Sequence, residues 1–274
     1  CGSPAPLRTP QGRSIMNMWD NTGDRGNMNR VALRTLLAVA ASLLASQATA
    51  AVTSGAVLSR VKAAEAAVRD FRADMVIVEA SKRNVSGMGE GYDEILRLEK
   101  AVVHYKKPNL IRYDGYAQGI KAVYIQNGYT KLVLLPMVKQ KTNAKDAPGK
   151  RQDTLDLGFL SSQLWKDNTV LSVDKKGVAK LKFDPKFGGN DKRHDLVWID
   201  TSTLKVLRRE KYRGSGEMRI RVTYGEFTNL GGKLAIATKS TLYDPKGGEL
   251  GVVTYKNLKC NVGVNASLFS LDQR

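Results

Sequence analysis

The spacing of hydrophobic residues changes near residue 70. Over residues 55–70 apolar side chains recur at helical spacing with Arg, Lys and Glu between them, which predicts one amphipathic helix. From Phe71 onward the spacing is two, and it is clearest over residues 218–224, where apolar residues alternate with Arg219 and Arg221. Period-two alternation is typical of strands that bury one face, so the chain after the helix is predicted to be mainly β.

Turn sequences divide the remaining chain into short strands. Asn127-Gly128 is typical of a tight hairpin, and residues 244–248 (DPKGG) form another turn signal. One helix in front and a short second helix at 158–167 leave no room for repeated βαβ units, which predicts an antiparallel meander. The predicted strands lie near residues 71–77, 95–106, 109–116, 121–126, 129–135, 169–173, 178–183, 195–200, 204–213, 218–224, 233–243 and 250–258.

One long polar segment interrupts this pattern. Residues 139–153 read KQKTNAKDAPGKRQD and contain Pro148-Gly149. Polar, basic and Pro-Gly-broken sequence of this length predicts a mobile surface loop. Its positive charges fit either simple solubility or a binding patch.

Residues 28–50 have the three parts of a secretory signal peptide. Arg30 and Arg34 precede about ten apolar residues, and Ala48-Thr49-Ala50 supplies the small side chains of a cleavage site. The apolar run is half the roughly 20 residues that a transmembrane helix needs. The pattern predicts cleavage after Ala50 and a periplasmic product.

The segment in front of this signal has a different composition. Residues 1–27 do not begin with Met and are rich in Gly, Pro, Asn and Arg, so they are predicted to be an upstream extension outside the protein. Residues 51–274 are then expected to form a single domain.

The charge of the chain is strongly positive. Lys and Arg number 44 against 26 Asp and Glu, a formal net charge of +18. Residues 1–50 contain five basic and two acidic side chains, so residues 51–274 keep 39 basic against 24 acidic groups, or +15. Such a field accelerates encounter with any anionic partner, whether nucleic acid, acidic protein or lipid head groups, and does not choose among them.

The residues that usually carry catalysis are scarce. The cysteines are Cys1 and Cys260, and the histidines are His104 and His194, none of them at a zinc-binding spacing. The chain lacks the Gly-x-Ser-x-Gly nucleophile motif, and an acid/base pair of His194 with Asp195 has no marked nucleophile beside it. The sequence therefore predicts no enzyme, no metal and no cofactor. It also lacks a recognisable nucleic-acid-binding motif.

Three consecutive segments carry a more specific signal. Residues 106–113 read KKPNLIRY, residues 123–128 read VYIQNG, and residues 132–140 read LVLLPMVKQ. Together they resemble the periplasmic lipoprotein carriers of the LolA type, in which a basic-Pro-Asn-Leu strand, a hairpin closing on Asn-Gly or Asp-Gly, and an apolar strand ending in Pro follow one another.

The C-terminal part is similar to the same family. Residues 196–200 (LVWID), residues 224–227 (YGEF), Asn261 and residues 267–269 (SLF) match its lipoprotein-sorting branch. The resemblance covers most of residues 55–271. It implies a mainly β (α+β) fold, a curved antiparallel half-open β-barrel with an N-terminal helix and a short covering helix, whose apolar hollow shields acyl chains.

The resemblance and the alternation together give candidate residues for the hollow. Burying acyl chains returns about 0.8 kcal/mol per methylene, so a long chain needs an extended apolar surface. Many of these carriers have Arg before the Pro, where it bonds the lid; Lys107 stands there in this chain and is the lid-latch candidate. The candidate lining is Ile111, Tyr113, Val123, Ile125, Leu132, Leu134, Phe159, Leu160, Leu164 and Trp165.

Two functions follow from this interpretation. The first is a monomeric periplasmic carrier that binds acylated lipoproteins or lipid acyl chains and passes them from an inner-membrane donor to an outer-membrane acceptor. The alternative is a sensor of envelope lipids or lipoproteins with the same hollow. Both require that the concave side of the sheet is not filled by the protein's own side chains.

Overall fold

Thirteen β-strands make up most of the described part of the chain, which is residues 52–80, 98–147, 151, 153–172, 177–186 and 192–273 of this computed structural model. The predicted signal peptide and the segment before it lie outside these residues. The strands are β1 Asp70–Ala80, β2 Lys100–Lys106, β3 Leu110–Ala117, β4 Ile120–Asn127, β5 Thr130–Leu135, β6 Val138–Asn143, β7 Asn168–Ser172, β8 Val178–Pro185, β9 His194–Asp200, β10 Val206–Tyr212, β11 Met218–Leu230, β12 Leu234–Tyr243 and β13 Glu249–Cys260.

All pairings among these strands are antiparallel, because tight turns return the chain to its own neighbour. Strands β1–β6 form one meander and β7–β13 a second, and pairing of β1 with β13 joins them into one sheet. Strands β6 and β7, which follow each other in sequence, therefore lie at opposite edges. The predicted antiparallel meander is confirmed.

Two α-helices accompany the sheet in the described residues. Helix α1, Ser54–Glu65, begins after Thr53, whose hydroxyl accepts a hydrogen bond from the Ala56 amide at 3.2 Å. It ends five residues before the predicted boundary, where the chain turns into β1. Helix α2, Gln163–Asp167, is shorter than the predicted 158–167 because Gly158 adopts a left-handed conformation. Neither helix is long and apolar enough to cross a membrane.

The prediction of a mobile loop over residues 139–153 is wrong for residues 139–143 and for Asp153. Residues 138–143 form edge strand β6, which pairs with β5 from Leu135↔Val138 to Thr130↔Asn143. Backbone ladder bonds hold this strand while its side chains stay largely exposed, so no buried face marks it in the sequence. Asp153 also belongs to ordered structure, since its carboxylate caps the 3₁₀ turn Thr154–Leu157.

The sheet curls so that one face, here called the inner face, surrounds the hydrophobic core. The segment between β6 and β7 bridges the open side. Arg151 lies over the Tyr129 ring at 4.3 Å and 3.6 Å from the Asp167 carboxylate, and the Tyr129 hydroxyl donates to Asp167. The expected curved, incompletely closed barrel with an N-terminal helix and a short covering helix is thereby confirmed.

The close approach of β2 to β3 at Gly115 can be tested by substitution. A Cβ atom on Gly115 would lie 2.5 Å from the Lys100 carbonyl oxygen and 2.8 Å from the Ala101 Cβ, so Gly115→Ala forces the two strands apart. We expect it to lower the free energy of unfolding by about 1–3 kcal/mol in denaturant titration. Gly225→Ala on β11, where a Cβ meets nothing within 4 Å, is the control and should change stability by less than about 1 kcal/mol. Equal effects of the two substitutions would contradict the packing described.

Candidate functional site

The register between β3 and β4 divides the candidate lining residues between two faces of the sheet. Ile111 lies opposite Gln126 and Tyr113 opposite Tyr124, whereas Val123 and Ile125 lie opposite residues that alternate with Ile111 and Tyr113. Directly opposed residues share a face and successive residues do not. The ten candidates therefore do not form one surface.

Six of the candidates lie together on or against the inner face. Ile111 and Tyr113 are buried on β3, and the other four belong to the segment between β6 and β7. Trp165 is partly buried and packs edge-to-face on Phe183, with ring centroids 5.3 Å apart. This group consists of Ile111, Tyr113, Phe159, Leu160, Leu164 and Trp165.

The remaining four candidates lie on the outer face of β4 and β5. Val123, Ile125, Leu132 and Leu134 form a second apolar cluster. Its other members are Leu110 on β3 and residues of the C-terminal segment, 264–271, including the fully buried Phe269. These four residues are covered by the chain's own C-terminal end and do not face the hollow.

Polar contacts fasten that C-terminal segment to the outer face. The Lys106 ammonium donates to the Val264 carbonyl at 2.7 Å, and the Asn127 amide donates to the Phe269 carbonyl at 3.2 Å. Arg112 binds the Leu268 carbonyl at 2.7 Å while its other nitrogens pair with a neighbouring carboxylate. The outer cluster is thus a closed, fully partnered structural element.

The hollow on the inner face is filled by residues 153–167, which we call the covering segment. Phe159 is fully buried and packs edge-to-face against the stacked rings of Phe71 and Tyr105, with ring centroids 6.0 Å and 5.5 Å away. A cavity that remains beside the segment measures about 30 Å³, space for about one water. The expectation that the concave side stays unfilled by protein is wrong for this conformation. An acyl chain fits only where the covering segment has left.

Arg209 holds the first turn of the covering segment from the opposite half of the sheet. Its side chain is fully buried, and its guanidinium lies 2.7 Å from carboxylate oxygens of both Asp153 and Asp156 in the covering segment. It also contacts Asp195 on β9 at 2.5 Å. A planar guanidinium binds several carboxylates at once, which a lysine cannot do. We call this group the Arg209 latch.

A buried tyrosine adds a neutral bond beside the latch. The Tyr224 hydroxyl on β11 donates to the Leu155 carbonyl at 2.8 Å. Burial raises the pKa of Tyr224 well above its ordinary value, so the hydroxyl keeps its proton and remains a donor. The covering segment is therefore anchored at the same point by charged and uncharged contacts.

Lys107, the predicted lid latch, contacts helix α1 rather than the covering segment. Its ammonium donates to the Glu65 carbonyl at the end of the helix, where a cation is favoured by the unpaired carbonyls. The Glu65 carboxylate in turn accepts the Ser162 amide at 3.0 Å. Lys107 thus reaches the covering segment through one intermediate residue, and its role as a latch stays a prediction.

Sequence reasoning did not identify Arg209 because a β-bulge shifts the alternation in β10. Val206 faces inward, the register slips between Val206 and Arg208, and Arg209 then faces inward as well. The sequence of β10 alone predicts an exposed, charged strand. A fully buried arginine facing three carboxylates is visible only once the strands are paired.

The alternative acid/base pair is not formed. His194 stacks on the Tyr212 ring with centroids 4.4 Å apart, and its Nδ1 lies 2.9 Å from the Lys192 carbonyl oxygen. Asp195, its neighbour on β9, points to the inner face and contacts Arg209. Adjacent strand residues face opposite sides of a sheet, so these two side chains do not act on one substrate.

Comparison with known proteins identifies the fold. No protein-family model and no curated protein matches the sequence. Among solved structures, a LolA superfamily protein from Nitrosomonas europaea is similar with a TM-score of 0.54 at 16% identity, covering 80% of this chain and 98% of that one. A putative outer membrane lipoprotein-sorting protein domain from Vibrio parahaemolyticus gives a TM-score of 0.52 at 13% identity, covering 78% and 95%. The chain has a LolA-like fold, as its sequence motifs indicate.

Replacing Arg209 tests how much the latch contributes to the free energy of unfolding. Arg209→Met leaves Asp153, Asp156 and Asp195 without their shared partner, so we expect the free energy of unfolding to fall by about 3–5 kcal/mol. Arg72→Met, which breaks an exposed ion pair on β1, is the control and should cost about 0–1 kcal/mol. Chemical denaturation measures both. Comparable losses in the two variants would show that Arg209 does not carry the latch.

Proposed function

We propose that this protein is a periplasmic carrier that binds the acyl chains of lipoproteins and helps to sort them to the outer membrane. The observation that carries the proposal is a hollow filled by a single detachable segment. Residues 153–167 occupy the inner face, yet they lie between two edge strands and contribute no strand to the sheet. Their departure leaves the β-scaffold intact.

The energies of the two occupants are comparable. Five buried apolar side chains of the covering segment, at about 1.5–3 kcal/mol each, contribute roughly 7–15 kcal/mol. An acyl chain of about 15 methylenes contributes roughly 12 kcal/mol at about 0.8 kcal/mol each. Because neither occupant is greatly favoured, one can replace the other. Such near balance is what a carrier needs in order both to load and to release its cargo.

The fold neighbours support the cargo class. The Vibrio parahaemolyticus protein is named as a lipoprotein-sorting domain, and the Nitrosomonas europaea protein as a LolA superfamily member. On this proposal Ile111 and Tyr113 contact the acyl chain once the covering segment has moved, whereas Phe159, Leu160, Leu164 and Trp165 move with that segment. Lys107 steadies α1 and, through Glu65, the start of α2.

The proposal includes export of the chain and removal of its signal peptide. Residues 28–50 direct the chain to the periplasm, cleavage after Ala50 releases residues 51–274, and the product works as a monomer between an inner-membrane donor and an outer-membrane acceptor. In cells that export the protein, N-terminal sequencing of the periplasmic form should begin at Ala51. A deletion strain should retain lipoproteins in the inner membrane. Recovery of the uncleaved chain would contradict cleavage after Ala50. Normal lipoprotein sorting in the deletion strain would contradict the carrier role.

Binding of an acyl-chain probe tests the exchange directly. Tyr224→Phe removes the hydrogen bond to the Leu155 carbonyl and leaves every apolar surface in place. Loss of about 1 kcal/mol from the closed state raises the open fraction, so the dissociation constant for a fluorescent long-chain fatty acid should fall about fivefold. Equilibrium titration of the purified protein gives both constants.

The control is a Tyr→Phe substitution at Tyr212, outside the covering segment. The Tyr212 hydroxyl donates to Glu210 at 2.8 Å and does not contact the covering segment, so Tyr212→Phe should leave the dissociation constant unchanged. Absence of fatty-acid binding in both the unmodified protein and Tyr224→Phe would overturn the proposed function.

A further inference from the structure

Exposed apolar side chains are concentrated at one end of strands β3–β6. Met137, in the β5–β6 turn, is 94% exposed, and Ile120 and Val138 are each 51% exposed. Tyr116 and Leu135 are exposed by 46% and 38%. We call this set, Tyr116, Ile120, Leu135, Met137 and Val138, the turn surface.

The antiparallel order places the whole set at the same end. Strand β3 ends at Ala117 and β4 begins at Ile120, while β5 ends at Leu135 and β6 begins at Val138. Since β3, β4, β5 and β6 are paired in sequence, the β3–β4 and β5–β6 turns lie at one end of this part of the sheet.

Part of the turn surface, namely Ile120, Leu135 and Val138, continues the inner face into solvent, while Tyr116 lies on the outer face because it is opposite Lys121. Ile120 shares a face with the buried Ala122 and Tyr124, because alternate residues of a strand point the same way. Leu135 and Val138 are a cross-strand pair, and Leu135 is on the same face as Val133, which packs against the core. Apolar side chains therefore extend without interruption from the core to the exposed turns.

Lysines lie at the same end of the strands, on the outer face beside Tyr116 and Leu134. Lys100 and Lys121 lie directly opposite Tyr116 on the two neighbouring strands, and Lys139 lies opposite Leu134. Residues 110–143 contain five basic side chains and one acid, Asp114, which is paired with Arg112 at 2.6 Å. Along the chain, the next acids on either side of this range are Glu99, beside Lys100, and Asp146.

We propose that the turn surface docks on an anionic lipid bilayer. Apolar side chains exposed on two tight turns suit insertion among lipid head groups rather than packing against a folded partner. Lysines beside them extend their ammonium groups to lipid phosphates while their methylene stems follow the apolar residues. The inference rests on the proposed carrier function and adds the surface at which the carrier meets a membrane.

Vesicle sedimentation with the full chain tests the proposal. The probes are vesicles of phosphatidylglycerol and phosphatidylcholine in equal parts, and vesicles of phosphatidylcholine alone. We expect binding to the anionic vesicles only, and Met137→Asp should weaken it about tenfold because a carboxylate replaces the most exposed apolar anchor. Leu171→Asp on edge strand β7, where the leucine is 53% exposed, is the matched control and should bind as the unmodified chain does.

A charge variant measures the contribution of the lysines separately from that of the apolar side chains. Lys121→Gln should weaken binding about fivefold at low salt, because each lysine near an anionic surface contributes that factor. The difference should vanish at high salt, where the surface potential is screened. Residues 28–50 are present in every variant and contribute equally to each measurement.

Two results would contradict the proposal that the turn surface docks on a bilayer. One is absence of binding to anionic vesicles, and the other is an equal loss in Met137→Asp and Leu171→Asp. The fatty-acid titration is repeated on the same variants. Retained fatty-acid affinity with lost vesicle binding supports the docking surface, whereas failure of fatty-acid binding in the unmodified protein counts against the carrier function alone.

Discussion

The structure depends on covering the apolar inner face of an open sheet. A closed small barrel fills its interior from its own strands, but this sheet leaves a gap between edge strands β6 and β7. Residues 153–167 enter through that gap, and Phe159 packs against the stacked rings of Phe71 and Tyr105. The contact is apolar and non-directional, so another hydrocarbon of similar size satisfies the inner face equally well.

Polar contacts give the covering segment a definite position. Arg209 binds Asp153 and Asp156 from the segment, and Tyr224 binds the Leu155 carbonyl. A buried charge group of this kind contributes little net stability compared with apolar packing, but it is costly to break on one side only. On the proposed function the protein then has two states, one with the latch intact and one with the segment out and its carboxylates in water.

The two apolar surfaces of the sheet have different characters. The outer cluster around Ile125 and Leu132 is covered by the C-terminal segment, whose carbonyls are bound by Lys106, Asn127 and Arg112. The inner face is covered by a segment that joins two meanders and ends beside solvent at both edges. On the proposed function, exchange takes place at the inner face, the outer face belongs to the framework, and Ile120, Leu135 and Val138 form the exposed end of the exchanging face.

The sequence by itself determined the helix before β1 and the antiparallel meander, because helical spacing, period-two alternation and Asn-Gly turns are local signals. Its resemblance to the LolA-type carriers indicated the LolA-like fold. Tertiary structure alone decided which face each strand buries: Val123 and Ile125 alternate as regularly as Ile111 and Tyr113, and only the register assigns them to opposite sides. It also decided that polar strand β6 is ordered by its ladder bonds and that Arg209 is buried after a bulge. Alternation fixes a period, whereas its phase relative to the core is set by partners far away in the chain.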